Sequence, residues 1–297
     1  MINGTPTLMA TPFARLPESY HFKGEPTEWV KMTRPGQRLS SFFEGPCFDD
    51  DGNLWLVDIP YGRLFKINPQ GIFDLAYAYD GEPHTIKHST EQGFLLTDYK
   101  KGLLKFDPQK GKMDVLYNNL DGQPFLGLSD LIIAENGDVW FTDSGRTSLS
   151  DPRGRLYRYH PDTGMEMVLD MIPYPNGVTL LQDQSNVLVA ATRANAIWKL
   201  SSQRPASGPP MVGTWVQLSG GLGPDGMATS KTGYIAVAQA QAGRAYVFDA
   251  WGDPVCTVKV PEGSWTTAVT FDPQRPERLM IVEAQTATIY ETILDLP

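Results

Sequence analysis

Cysteine, histidine, basic charge and long apolar runs are all scarce in this chain, and each shortage excludes something. Two cysteines in 297 residues, Cys47 and Cys256, cannot build a disulfide framework, and neither belongs to a CxxC pair. They read as small buried core residues in a reducing compartment. Lys and Arg number 25 against 34 Asp and Glu, a formal net charge of -9. That balance, with no basic run, argues against a nucleic-acid partner, because phosphate binding needs clustered cations. No window approaches the roughly 20 apolar residues of a membrane span. The start, MINGTPTLMATPFARLPESYHF, lacks a basic segment followed by an apolar one, so a cytoplasmic protein with no membrane partner is expected. No heptad repeat announces an oligomer. Hydrophobic residues at 41% and charged residues at 20% are those of a chain that folds.

What is abundant is repetition. A short apolar strand, an Asp/Asn/Gly turn, a second strand ending near Asp or Ala, a small loop and a third strand recur six times. The copies begin with EGPCFDDDGNLWLVDIPYGRLFKI at Glu44, EPHTIKHSTEQGFLLTDYKKGLLKF at Glu82 and LSDLIIAENGDVWFTDSG at Leu128. They continue with PNGVTLLQDQSNVLVAATRANAIWKL, PDGMATSKTGYIAVAQAQAGRAYVF and TTAVTFDPQRPERLMIVEAQTATIY. Repeats of about 40 to 50 residues built from three or four short strands are propeller blades. The segments rich in Val, Ile and aromatics, cut by Gly or Asp every few residues, exclude helical repeats of that length. The expected fold is all-β, a six-bladed β-propeller, as one domain over residues 1–297. Residues 1–40 form an N-terminal extension that wraps the surface or completes the last blade, which would protect an exposed edge. SSQRPASGPP, residues 201–210, reads as a flexible insertion in the fourth blade.

Aligned on their first strands, the repeats stack Glu44, His84, Ser129, Asn176, Asp225 and Thr267, separated by 40, 45, 47, 49 and 42 residues. First strands line a propeller's channel, so this polar column predicts a ring at one mouth. Asn136-Gly137 sits between two apolar runs, where a hairpin turn belongs. Asn176-Gly177 instead precedes a strand, and the expectation is that Asn176 points at the axis while Gly177 lets the backbone turn tightly. Two carboxylates and a carboxamide, from Glu44, Asp225 and Asn176, would repel and desolvate one another unless a cation sat between them. Oxygen-only ligation suits a hard divalent ion. Calcium fits best, then magnesium or manganese, with zinc or iron(II) also admissible. Taken singly, Asn-Gly and Asp-Gly are ordinary turn dipeptides; the in-phase spacing and Glu44 are what turn chemistry does not explain.

EGPCFDDDGNLWLVDIPYGRLFKI, SDLIIAENGDVWFTDSG, PNGVTL, VAATRANAIWKL and LSGGLGPDGMA together resemble the senescence marker protein, gluconolactonase and luciferin-regenerating enzyme family over nearly the whole chain. The resemblance implies a six-bladed propeller with a divalent metal at the channel mouth, hydrolysing sugar lactones and related cyclic esters. It implies Glu44, Asn176 and Asp225 as metal ligands and Asp225 also as general base. This chain departs from the family pattern at Ser129, which precedes Asp130 where Asn is usual beside metal and substrate, at His84, and at Thr267-Ala268.

For a lactonase the metal would polarise the ester carbonyl and activate water. His84 is a further candidate base, since imidazole titrates near neutrality, or else a passive channel histidine; His88, deeper on the same face, reads as structural. Loops after the second strands bring Tyr61, Tyr99, Arg146 and Arg193 within reach of a small-molecule substrate, alongside Ser129, Asp130 and Thr267. Phe42, Phe43, Phe125 and Tyr174 either rim the pocket or pack between blades. Three functions stand: a metal-dependent lactonase first, then a propeller enzyme of non-hydrolytic chemistry such as a cyclase, isomerase or condensing enzyme, then a non-catalytic binding propeller.

Overall fold

Local patterning makes strands almost everywhere. Every residue of the second strands Leu54–Asp58, Val139–Asp143 and Ile235–Ala240 is buried, which is what a strand covered on both faces by its neighbours requires. The computed structural model describes residues 4–203 and 205–295; positions 1–3, 204 and 296–297, and what the N-terminal extension and the 201–210 loop do there, lie outside that description. Blade one runs outward from Phe43–Phe48 through Leu54–Asp58 and Arg63–Ile67 to Phe73–Ala78. Blades two, three and four repeat this order from Pro83–Ser89, Leu128–Ile133 and Pro175–Leu180, each as a four-stranded antiparallel sheet. Blades five and six start from Gly223–Thr229 and Thr266–Asp272. Each innermost strand packs against those of both neighbouring blades, and that of blade six against that of blade one. The six-bladed β-propeller read from the repeats is the fold.

The N-terminal segment joins the outside of this ring. Thr11–Arg15 pairs antiparallel with Thr288–Ile293 as the outermost strand of blade six, and Thr7–Met9 pairs parallel with Pro254–Lys259 as a fifth strand of blade five. The chain then crosses to the channel mouth, where Glu28–Thr33 forms a short helix. Thr27 caps it by accepting from the Val30 amide, and Pro35 follows its end, so the signals for start and stop are both local. Trp29 and Val30 are its buried face, packed against Phe42 and blade one.

The core is the set of inter-blade layers. Phe43, Phe65 and Met280 fill one between blades six and one, and Val178, Val189 and Trp140 another between blades three and four. Both cysteines are unpaired and buried, as their scarcity suggested. Burial drives the Cys47 thiol up to about 12, so it remains an unreactive apolar side chain. Asn136-Gly137 is the hairpin turn expected, with Gly137 at φ +86°.

Gly177 has a different reason from the one its dipeptide suggested. Its φ is not in the left-handed region, and a Cβ placed there would overlap the carbonyl oxygen of Asp225 in the next blade. The same holds at Gly226, where a Cβ would press on Ala268 of blade six; at Gly45 a Cβ would overlap Thr85 of blade two, and there the φ of +54° favours glycine as well. Glycine one position after the ring residue, in three of the blades, lets adjacent inner strands approach backbone to backbone. Gly177→Ala should therefore destabilise the protein by about 1–3 kcal/mol, the usual penalty of overpacking. The measurement is the midpoint of chemical unfolding, and an unchanged midpoint would show that the contact is soft.

Candidate active site

Every innermost strand carries a break in register at the position of the polar column. The shifts fall between Glu44 and Cys47, Pro83 and Thr85, Leu128 and Leu131, Pro175 and Val178, Pro224 and Met227, and Thr266 and Ala268. A bulge re-aims the side chain at its site, and six in phase place six side chains around one end of the channel. The segment leading into each bulge is held by the second strand. The last residue of that strand is a fully buried carboxylate in blades one, two, three and six: Asp58, Asp98, Asp143 and Glu283. These accept from the amides of Phe42 (2.7 Å), Glu82 (2.9 Å), Gly127 (2.8 Å) and Trp265 (2.8 Å). Each donor lies two residues before a ring residue, so a charge-assisted bond fixes the approach to the site in four blades.

Above the ring is a cavity of about 800 Å³, and below it, within the channel, a void of about 10 Å³. Glu44, Asn176 and Asp225 are the three residues that line both, and they form the floor. Burial drives the carboxyl pKa of Glu44 well up, with repulsion from Asp130 adding to it. Asp225 is driven up by burial first, then by the charges of Glu44 and Asp130, while the Gly226 amide and the Asn176 side chain act the other way. No Lys or Arg among the described residues lies within 4.0 Å of either carboxylate. Two buried carboxyl groups facing each other with no cationic side chain form a floor that a divalent cation would neutralise. Among the described residues no three His, Cys, Asp or Glu side chains group as metal ligands, so the set depends on the Asn176 carboxamide. Its Oδ1 accepts from the Ser129 hydroxyl at 2.7 Å. Oxygen donors of this kind fit a hard ion.

His84 also lines the cavity, with Nδ1 3.6 Å from Glu44 Oε2 and neither ring nitrogen hydrogen-bonded. Burial pushes its pKa down to about 4, against the opposing charges of Asp98, Glu82 and Asp130. The ring is neutral at pH 7, which corrects the expectation of a group poised to titrate near neutrality. His88 packs on Phe94, ring centroids 4.5 Å apart, and is structural.

Of the other residues singled out in the sequence, Tyr99, Arg146 and Arg193 line the cavity. Tyr61 does not: its hydroxyl donates to the Leu39 carbonyl and its ring stacks on Phe22 at 3.9 Å, so it anchors the N-terminal segment instead. Ser129, Asp130 and Thr267 lie below the cavity rather than on its wall. Asp130 accepts from the Thr85 hydroxyl (2.8 Å) and the amides of Leu131 (2.9 Å) and Val178 (3.0 Å), bridging blades two, three and four. Thr267 donates to the Phe43 carbonyl at 2.8 Å, across the junction of blades six and one. Phe42 and Tyr174 reach the rim, whereas Phe43 is buried between blades and Phe125 packs on Phe141 and Tyr157. The wall formed by Trp29, Met32, Thr33 and Arg34 was not anticipated, although Thr27, Glu28 and the Arg-Pro-Gly stop mark that helix in the sequence.

The profile of the SMP-30/Gluconolactonase/LRE-like region matches residues 42–285, and the chain belongs to that family. It is 26% identical to lactonase drp35 of Staphylococcus aureus (strain USA300) over 243 residues, covering 78% of this chain and 73% of the relative. The gluconolactonase XC5397 of Xanthomonas campestris superimposes with a TM-score of 0.75 at 20% identity, covering 96% of this chain and 98% of that one. A calcium-binding protein, regucalcin, of Agrobacterium tumefaciens gives 0.73 at 19%, covering 97% and 95%. No helix among the described residues is long and apolar enough to cross a membrane.

The depressed pKa of His84 has a thermodynamic signature. Between its unfolded value near 6.5 and its folded value of about 4, the unfolded chain binds the proton that the folded chain refuses. The group contributes stability above pH 6.5 that is lost as pH falls toward 4. In chelator, the stability of the native protein relative to His84→Gln should rise by about 1–3 kcal/mol as pH is raised from about 4 to 6.5. Parallel pH profiles of unfolding free energy for the two proteins would contradict it.

Proposed function

We propose that the protein is a divalent-metal-dependent lactonase acting on a small cyclic ester at the cavity floor. The observation that carries this reading is the pair of buried carboxylates, Glu44 and Asp225, facing a shared cavity without a cationic side chain within 4.0 Å. Glu44, Asn176 and Asp225 would hold the ion, calcium by preference for an all-oxygen set. When bound, the ion would polarise the ester carbonyl and lower the pKa of water.

The remaining roles belong to the chain's own groups. Asp225 takes the proton of the attacking water on a carboxylate oxygen and returns it to the ring oxygen as the ester C–O bond breaks. His84, held neutral by burial, stands against Glu44 with Nδ1 3.6 Å from Oε2 and both ring nitrogens shut off from the cavity, so its part is to limit the movement of that carboxylate. The Ser129 hydroxyl fixes the Asn176 carboxamide from behind. Trp29, Phe42, Tyr174 and Trp265 supply apolar walls against the ring of the substrate and limit competing water. Burial holds the Tyr174 phenol above its ordinary range, so it stays a hydrogen-bond donor throughout. The names of the relatives support the reading, drp35 as a lactonase and the Xanthomonas protein as a gluconolactonase.

Asp225→Ala should abolish both calcium binding by calorimetry and ring opening across a panel of lactones followed by acid release. Chelation of the native protein should remove the activity, and added calcium should restore it. Metal binding without hydrolysis of any lactone would favour non-hydrolytic chemistry on the same floor. Undiminished turnover in Asp225→Ala would reject the site.

A further inference from the structure

Three guanidinium groups face the cavity above the carboxylate floor, those of Arg34, Arg146 and Arg193, and none has a carboxylate within 4.0 Å among the described residues. Arg34 is the unusual one. It follows the N-terminal helix, lies outside the part of the chain matched to the family, and is only 9% exposed. Its guanidinium lies over the Trp265 indole at 3.8 Å and faces the Phe42 ring at 5.7 Å, and its Nε has no hydrogen-bond partner. Burial lowers its pKa, with the charge of Glu283 opposing at longer range. That carboxylate is already committed to the amides of Trp265, Gln285 and Thr286 at 2.8, 3.1 and 2.7 Å.

Arg146, exposed at the rim, donates to the Thr33 hydroxyl at 3.0 Å, which brings the blade-three loop against the residue preceding Arg34. Arg193, also exposed, lies over the Tyr174 ring at 5.6 Å. The cavity's third acidic residue, Glu82, is paired with Lys100 at 2.9 Å. With a divalent ion offsetting Glu44 and Asp225, three positive charges would remain unanswered around the cavity of a protein whose formal net charge is -9. A desolvated guanidinium with no carboxylate partner is unfavourable by itself and is held here by its aromatic stack. What it lacks is an anion.

We propose that the substrate is an anionic lactone. Its ester lies at the floor, its apolar body lies between the aromatic walls, and a carboxylate is received by Arg34 and Arg146, whose planar forks match that group. The inference rests on the lactonase reading for the ester end only. Lactams are not opened by such a site, so binding can be measured apart from turnover. The test is calorimetric titration of calcium-loaded protein with dihydroquinolinone and with its carboxylated derivative.

The carboxylated lactam should bind at least about tenfold more tightly, as a charge-assisted hydrogen bond to a buried group allows. Added salt should weaken it and leave the neutral lactam unaffected. Arg34→Gln and Arg146→Gln should each bring the two affinities toward equality without changing that of the neutral compound. Arg146 is exposed, so its variant carries the test should Arg34→Gln fail to fold. Equal affinities in the native protein, or a preference undiminished in both variants, overturn the proposal. A carboxylate preference in a protein that opens no lactone would leave the anion site standing and remove the hydrolytic reading; hydrolysis of neutral lactones with no such preference would do the reverse.

Discussion

Two carboxylates, Glu44 with its side chain 13% exposed and Asp225 5% exposed, sit at one end of the channel, and the charge of Glu44 raises the cost of ionising Asp225. Like charges desolvated together are tolerated only where something holds them or neutralises them. Here the backbone holds them. Glu44 and Asp225 belong to strands whose neighbours are fixed on both sides, so neither side chain can leave without disturbing a blade. The chemistry proposed for the site is what this frustration makes available, since a group kept in an unfavourable charge state is one that a cation or a proton can relieve.

The holding is done by parts with no place on the cavity wall. Asp58, Asp98, Asp143 and Glu283 each fix an amide two residues ahead of a ring position, and the six register shifts then turn the ring side chains inward. Asp130 and Thr267, residues of the polar ring and its edge, join neighbouring inner strands to each other. The ring is therefore of mixed purpose: Glu44, His84, Asn176 and Asp225 face the cavity, while Ser129 and Thr267 support it from below. Rigidity below and openness above are consistent with a site that must keep its geometry while a ligand enters from one side.

The N-terminal segment gives the site its individual character. Pairing with blades five and six anchors its first part. Arg63 then holds the stretch that follows, donating to the Tyr20 carbonyl at 2.6 Å and the Ser40 carbonyl at 3.2 Å. Between these anchors the helix and Arg34 are laid against Phe42 and Trp265, so a part of the chain outside the repeats forms one wall of the cavity. That wall brings a buried positive charge to a floor of negative ones.

Much of this was legible from residue order. The repeat and its period required blades, because short strands punctuated by Asp and Gly can bury themselves only against copies of the same unit. The in-phase polar column located the mouth, because first strands must face the axis. Other features could not be read there. Gly177 is glycine for want of space beside Asp225, some 48 residues later in the chain, and not for its own dihedral angles. Tyr61 and Tyr99 occupy equivalent loops, yet one anchors the extension and the other faces the cavity. His84 loses its ordinary basicity to burial, and Arg34 finds its place only where helix, blade one and blade six meet. Local pattern determined the inner strands, the number of blades and the polar column at one mouth, because those depend on period and turn chemistry. Desolvation, close approach between blades and the path of the N-terminal segment were decided by tertiary structure alone, because each depends on groups far apart in the chain that only the closed ring brings into contact.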